Sequence, residues 1–291
     1  MNIRDIAVIG AGTMGCGIAR AAAASGFPVV LEDRDGELAE KGLAQIRDSL
    51  GKKVATGKLE SSEKDAILSR ITISATLGDC RSVDLVIEAA SEREEIKKEI
   101  FRTLDAICPP ETVFATNTSS ISITRLAQVT KRPERFIGMH FMNPAHVMRL
   151  VEVIKGLRTS PETVTAITAV AEGMGKVPVV VADSPGFVSN RVLMPMINDS
   201  IFCLQEGVAS RESIDAIVML GANHPMGPLE LADFVGLDIC LEIMDVLHAE
   251  LGEKYRPCTL LRKMVAAGKL GRKSGEGFYE YPWPHIHTEK I

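Results

Sequence analysis

The chain has 291 residues, of which 46% are hydrophobic and 24% charged, and a formal net charge of −5. That is the composition of a globular protein with room for two domains. The mildly acidic balance gives no reason to expect nucleic acid or an anionic membrane as partner, and no apolar run approaches the roughly eighteen residues that span a bilayer. The start, MNIRDIAVIG, leads directly into an apolar strand, so no signal peptide or transit segment is expected. Six cysteines (16, 80, 108, 203, 240 and 258) are scattered without a CxxC pair or metal-ligand spacing. They read as reduced thiols of a cytoplasmic protein, with no metal site.

Residues 5–33 carry the strongest signal. A strand at Ile6 to Ile9 runs into Gly10-Ala11-Gly12-Thr13-Met14-Gly15, an Ala-rich helix follows, and a second strand from Val29 to Leu31 ends at Glu32 and Asp33. Gly10 permits a tight turn, Gly12 lets backbone approach a pyrophosphate, and Gly15 lets helix pack on strand. The helix N-terminus offers unpaired N–H donors to the phosphates. Asp33, eighteen residues beyond Gly15, is placed to accept from the ribose hydroxyls of an adenosine. Strand, glycines, helix, strand and acid in this order predict a bound dinucleotide. Asp33 favours NAD over NADP, because its carboxylate would repel a 2′-phosphate; the neighbouring Arg34 pulls the other way. Cys16, at the helix start, is either a thiol of lowered pKa or a packing residue beside the glycines.

The alternation continues with β-rich runs at 71–74, 84–88, 112–116, 136–140, 150–154 and 177–182, and helical patterns at 92–105 and 161–175. This is the pattern of a parallel, doubly wound sheet. The 37 residues between Asp33 and Ile71 exceed what one crossover helix needs. Two amphipathic patterns, 36–55 and 61–70, predict a helical hairpin projecting from the sheet at about 36–70. Beyond Ser184-Pro185-Gly186 the text is helical, at 187–205, 211–220, 229–251 and 260–267. The expected fold class is therefore α/β: a doubly wound, mostly parallel (Rossmann) sheet over 1–183, then a smaller all-helical domain over 184–291. Apolar Leu237, Ile239, Ile243 and Val246 are expected to bury one face of that domain on a second subunit. The last segment, 281–287, reads as an irregular tail whose two histidines face solvent.

In open α/β sheets the active crevice lies at the carboxyl ends of the strands. Three sets of polar groups land there: Asn117-Thr118-Ser119-Ser120, His140 with Asn143, and Glu152 inside an apolar strand. A carboxylate among Val151, Val153 and Ile154 is costly to bury unpaired, and His140 is its natural partner. Such a pair fixes the imidazole tautomer and raises its basicity, which suits a general base. The same residues read equally well as a solvent-facing Glu and a turn-capping His. Asn190 opens the first helix of the second domain, as a carbonyl-stabilising donor or as a satisfied helix-start residue. Ser119 and Ser120 have the alternative of capping a helix that begins near Ser122.

The arrangement resembles the L-3-hydroxyacyl-CoA dehydrogenase family over roughly residues 3–281. The likeness rests on GAGTMG at 10–15, NTSS at 117–120, HFMNP at 140–144 with LVEVI at 150–154, DSPGFVSNR at 183–191, HPMGPLELADFVGLD at 224–238 and GRKSGEGFYEY at 271–281. The resemblance implies an NAD-dependent oxidoreductase interconverting (S)-3-hydroxyacyl-CoA and 3-oxoacyl-CoA, as in fatty-acid β-oxidation; the homodimer is expected from the apolar residues of the helical domain named above. It implies His140 as general base, Glu152 as its orienting partner, and Ser119 and Asn190 as holders of the substrate oxygens. Glu92, Lys97, Asn143 and Lys273 occupy cofactor-contacting positions. The hairpin is where the family holds coenzyme A, whose phosphates Arg47, Lys52, Lys53 and Lys58 would meet. One departure stands out: Ala55-Thr56 replaces a pair of lysines common in the family. That departure mildly favours an alternative, a relative acting on a free hydroxy acid or sugar acid such as the L-gulonate dehydrogenases. A third reading, a non-catalytic structural relative, is opposed by intact Ser119, His140, Glu152 and Asn190.

Overall fold

The computed structural model describes residues 1–281, and the two tail histidines, His285 and His287, lie outside them. The described residues form two compact units, Met1–Ser184 and a second from Pro185 on. The first holds one eight-stranded sheet in the order β3-β2-β1-β4-β5-β6-β7-β8. Its elements are β1 (Ile6–Ile9), α1 (Thr13–Ala24), β2 (Val29–Glu32), α2 (Gly36–Ala55), α3 (Ser61–Ser69), β3 (Ile71–Ser74), β4 (Leu85–Glu88), α4 (Glu94–Ile107), β5 (Val113–Thr116), α5 (Ile123–Ala127), β6 (Phe136–Phe141), β7 (Leu150–Lys155), α6 (Pro161–Gly173) and β8 (Val177–Ala182). Strands β1, β4 and β5 are buried at every position. Sheets covered on both faces require such continuous apolar runs.

Neighbouring strands from β3 to β6 run parallel, whereas β7 pairs antiparallel with β6. The sheet is mostly parallel, as the alternation leads one to expect, and the cause of this antiparallel pair is length. Only residues 142–149 join β6 to β7, too few for the crossover of a dozen or more residues that a parallel neighbour demands. Strand β8 then returns parallel to β7 through α6.

The hairpin is α2 and α3. Its inner face is not free of the body: Ala39, Ile46 and Leu50 of α2 and Ile67 of α3 are buried. Gly42 is the point of closest approach, since a Cβ there would lie 2.9 Å from both Ala11 Cβ and Cys16 Sγ. The far end of the hairpin, including Lys52 and Thr56–Lys58, is exposed.

The second unit comprises α7 (Ser189–Gln205), α8 (Arg211–Ala222), α9 (Pro228–Val235), α10 (Leu237–Leu251) and α11 (Thr259–Ala266). The single helix expected over 229–251 is two, because Gly236 adopts φ 105° between α9 and α10. Such a conformation strains any L side chain and interrupts the helix. Of the four positions assigned to a subunit contact, Leu237 and Ile243 belong instead to this unit's own core, with Met194, Ile201 and Leu247. Ile239 is 41% exposed. The segment after α11 is tied down by Asp233, which accepts from Phe278 N and Tyr279 N at 2.9 Å and from the Tyr281 hydroxyl at 3.1 Å.

Candidate active site

The strand order reverses between β1 and β4, so the loops leaving their carboxyl ends diverge to opposite faces and leave a crevice. The glycine loop forms one wall. Gly10 has φ 100°, and a Cβ on it would sit 2.8 Å from Ala89 O, while one on Gly15 would sit 1.7 Å from Gly10 O. Gly12 differs: a Cβ there would meet nothing within 4 Å. Packing explains Gly10 and Gly15; Gly12, the N-cap of α1, faces open space. That helix start has no side-chain cap and no acid in its first turn, so its N–H donors and positive dipole end remain for a ligand. Asp33 Oδ2 accepts from Ala11 N at 2.8 Å, which locks the acid to the loop. Cys16 donates to Ala11 O, and burial pushes its thiol up to about 11. It packs; it is not an activated thiol. Next to Asp33, Glu32 is pushed up to about 7 by burial and by the Asp33 charge.

The second wall follows β5. Glu92 accepts from Ser119 N at 2.8 Å, Ser120 N at 3.2 Å and the Thr118 hydroxyl. Residues 119 and 120 therefore point their backbone donors at Glu92, and the helix start they were candidates to cap is held by Ser122 and Asp183. Lys97, 1% exposed, donates to Glu88 at 2.7 Å and to Ala90 O at 3.3 Å, and lies 3.4 Å from Glu92. These three contacts use the ammonium's three donors. Thr116 donates to the other Glu88 oxygen at 2.6 Å. Burial raises the Glu88 carboxyl above its ordinary value, against the pull of Lys97. Glu92 behaves oppositely: burial would raise it, but the Lys97 charge and the bonds from Thr118 and Ser119 hold it below. Sequence reading missed Glu88 and Thr116. The available signal was a carboxylate closing an otherwise apolar strand.

The third element is the β6–β7 pair. Antiparallel register sets His140 directly opposite Glu152, and His140 Nδ1 lies 2.9 Å from Glu152 Oε2. Their side chains are only 8% and 3% exposed, which decides between the two readings of these residues: they are a buried pair, not a surface acid and a turn cap. Asn117 Oδ1 accepts from Phe141 N at 2.9 Å and pins the end of β6 beside the Ser119 loop. Asn143 follows on the exposed loop after β6. The sheet thus brings Gly10–Gly15, Asp33, Glu92, Ser119 and His140 to one edge.

The remaining candidates lie elsewhere. Asn190, in the first turn of α7, is buried in the second unit. Lys273 pairs there with Asp238 at 2.5 Å, and the other Asp238 oxygen is buried without a hydrogen-bond partner. On the hairpin, Arg47, Lys52 and Lys58 are exposed and Lys53 is half-buried. Thr56 turns its hydroxyl back onto the carbonyls of Lys52 and Lys53, both at 3.1 Å.

Two family models cover nearly the whole chain. Residues 5–184 match the 3-hydroxyacyl-CoA dehydrogenase NAD binding domain, and residues 186–281 match the C-terminal domain of the same enzymes. The chain belongs to the 3-hydroxyacyl-CoA dehydrogenase family. It is 57% identical over 282 residues to a probable 3-hydroxybutyryl-CoA dehydrogenase of Bacillus subtilis (strain 168), covering 97% of this chain and 98% of that one. A 3-hydroxybutyryl-CoA dehydrogenase of Bradyrhizobium diazoefficiens is 52% identical, with 96% of each chain covered. The crystal structure of (S)-3-hydroxybutyryl-CoA dehydrogenase from Ralstonia eutropha superimposes with a TM-score of 0.93 at 49% identity, covering 96% of this chain and 99% of that one. Membership in this family makes NAD the cofactor. The residues present fit it: the uncapped α1 start and open Gly12 suit a pyrophosphate, and loop-anchored Asp33 suits an adenosine ribose.

Proposed function

We propose that the chain interconverts (S)-3-hydroxyacyl-CoA and 3-oxoacyl-CoA, with His140 as general base. The observation that carries this reading is the buried His140–Glu152 pair, set face to face by the β6–β7 register at the cofactor edge of the sheet. Glu152 accepts the Nδ1 proton and fixes the tautomer, so Nε2, the ring nitrogen facing away from Glu152, takes the proton of the 3-hydroxyl. As the imidazole gains charge, the carboxylate 2.9 Å away stabilises it. Bound NAD supplies the nicotinamide that exchanges hydride with substrate C3. Glu92 holds Ser119 in place through its backbone N–H, and the Ser119 hydroxyl binds a substrate oxygen, as does Asn190. In the reverse direction the imidazolium returns its proton to the 3-oxo oxygen.

Asn143 and Lys273 contact the cofactor in this reading, and Lys97 acts through Glu92. The hairpin cations Lys52, Lys53 and Lys58 meet the substrate's phosphates. The protein works as a cytoplasmic homodimer in fatty-acid metabolism; its six cysteines are free, in keeping with a reducing compartment. The second unit also exposes Val192, Val208, Ile217 and Leu220 at 66% or more, apolar side chains of the kind that subunits bury.

Oxidation of NADH followed by absorbance, with acetoacetyl-CoA as substrate, is the direct test. Turnover of acetoacetyl-CoA supports the reading. Turnover of a free 3-hydroxy acid or sugar acid instead would replace it with the L-gulonate-type alternative.

A further inference from the structure

Glu88 closes the apolar run Leu85-Val86-Ile87 at the carboxyl end of β4, and it is wholly buried there. Strand register places it beside Ile9, the residue before the glycine loop, on one side and Thr116 on the other. A carboxylate in such a position is costly unless its lone pairs are filled. Here they are. Oε1 accepts from Ala90 N and Lys97 Nζ, both at 2.7 Å, and Oε2 accepts from the Thr116 hydroxyl at 2.6 Å. Well-packed apolar residues often serve stability as well as a buried ion pair does, or better. The packing of β4 therefore does not by itself require an acid.

Each of the three donors leads to a wall of the crevice. Ala90 abuts the glycine loop, since a Cβ on Gly10 would lie 2.9 Å from Ala90 N. Thr116 Oγ1 accepts in turn from Thr118 N at 3.2 Å. Lys97 leads to Glu92, and its two distances are unequal: 2.7 Å to Glu88 Oε1 and 3.4 Å to Glu92 Oε2. The other Glu92 oxygen, Oε1, takes four donors from the loop after β5. They are the hydroxyls of Thr118 and Ser120 and the backbone N–H groups of Ser119 and Ser120. Two acids thus share one buried cation, which lies closer to Glu88 than to the acid that grips Ser119.

We propose that Glu88 is a positioning residue for Ser119: it draws the Lys97 ammonium onto its own carboxylate and so leaves Glu92 Oε1 to hold the 118–120 loop. The proposal rests on the acyl-CoA reading, in which the Ser119 hydroxyl binds a substrate oxygen, and deepens it. Without a charge at position 88, Lys97 keeps Glu92 as its carboxylate partner. That pair then closes up, because charge-assisted hydrogen bonds are short and strong. Glu92 shifts off the Ser119 and Ser120 amides, and the loop loses the contact that sets the Ser119 hydroxyl.

Glu88→Gln tests this with little change of shape. The amide oxygen still accepts from Ala90 N, and only the charge is lost. Amide hydrogen exchange at Ser119 and Ser120 should run about tenfold faster or more, since each loses a hydrogen bond to a charged group. Exchange in β7 should stay as in the wild type. With acetoacetyl-CoA, kcat/KM should fall roughly ten- to a hundredfold, the scale of a small misplacement of a substrate-holding group. The deciding measurement is a double-mutant cycle. On a Ser119→Ala background, Glu88→Gln should cost less than about twofold further, because both changes remove the same contact. A full, additive penalty on that background, or unchanged exchange at Ser119 and Ser120, overturns the proposal. Should Glu88→Gln not fold, Thr116→Val removes a donor to Glu88 at nearly constant shape. It must show the same non-additivity with Ser119→Ala, or the proposal is rejected. A wild type that does not turn over acetoacetyl-CoA would refute the acyl-CoA reading, whereas the exchange measurement decides the hold on the loop whatever the substrate.

Discussion

Replacing His140 with Gln isolates the general base. The site is buried, so a smaller residue would confound the experiment: Ala would open a cavity and remove the 2.9 Å contact to a Glu152 side chain only 3% exposed, at a cost of about 1–3 kcal/mol in stability. A Gln side chain fills similar space, and its amide N–H can still donate to Glu152. What it lacks is a lone pair of imidazole basicity on the side facing away from that carboxylate. The loss should therefore appear in the chemical step and not in folding. A positioned general base accounts for roughly 10²–10⁴ in rate, or about 2.7–5.5 kcal/mol of barrier. NADH consumption with acetoacetyl-CoA should show kcat reduced by that factor, while NADH binding by fluorescence titration and the melting temperature stay near the wild type. A variant that keeps kcat within a few-fold of wild type, with cofactor binding and melting unaltered, would remove His140 from the mechanism.

Asp33→Ala should weaken NAD and narrow its preference over NADP, since it removes both a ribose acceptor and a repulsive charge, and frees Ala11 N from its 2.8 Å bond; kinetics with each cofactor at fixed substrate check this, and a wild type that prefers NADPH would refute it. Glu32 has a folded pKa of about 7, raised by burial and Asp33, so the folded state binds more protons than the unfolded state between about pH 4.5 and 7, and stability from this group falls as pH rises through that window. Glu32→Gln should consequently melt higher than wild type at pH 8, by roughly 1–3 kcal/mol, with the difference fading toward pH 4.5; a pH-independent difference would show that ionisation is not the cause. Thr56→Lys should lower KM for acetoacetyl-CoA a few-fold, because an exposed ion pair contributes only about 0.2–1 kcal/mol, and the gain should disappear at high salt.

Much of this protein was decided locally and could be read locally. The glycine loop, the apolar strands, the acid at the end of β2, the two helices of the hairpin and the turn to an all-helical second half each follow from propensity and periodicity within a few residues. The outcomes that needed the tertiary structure involve partners far apart in the chain. Whether His140 and Glu152 meet depends on the direction and register of β7, and a shift of one residue would turn Glu152 to the other face of the sheet. The Glu88–Lys97–Glu92–Ser119 chain joins β4, α4 and the loop after β5 through groups up to 27 residues apart, its last link the Ser119 backbone N–H. In the pattern, Leu237 and Ile243 were equally suited to a subunit contact or an internal core, since burial is set by what packs against a helix and not by the helix itself. Arg20 read as one polar residue in an Ala-rich helix. Its burial was decided by the approach of α2, where Nη1 meets Ser49 Oγ at 2.7 Å.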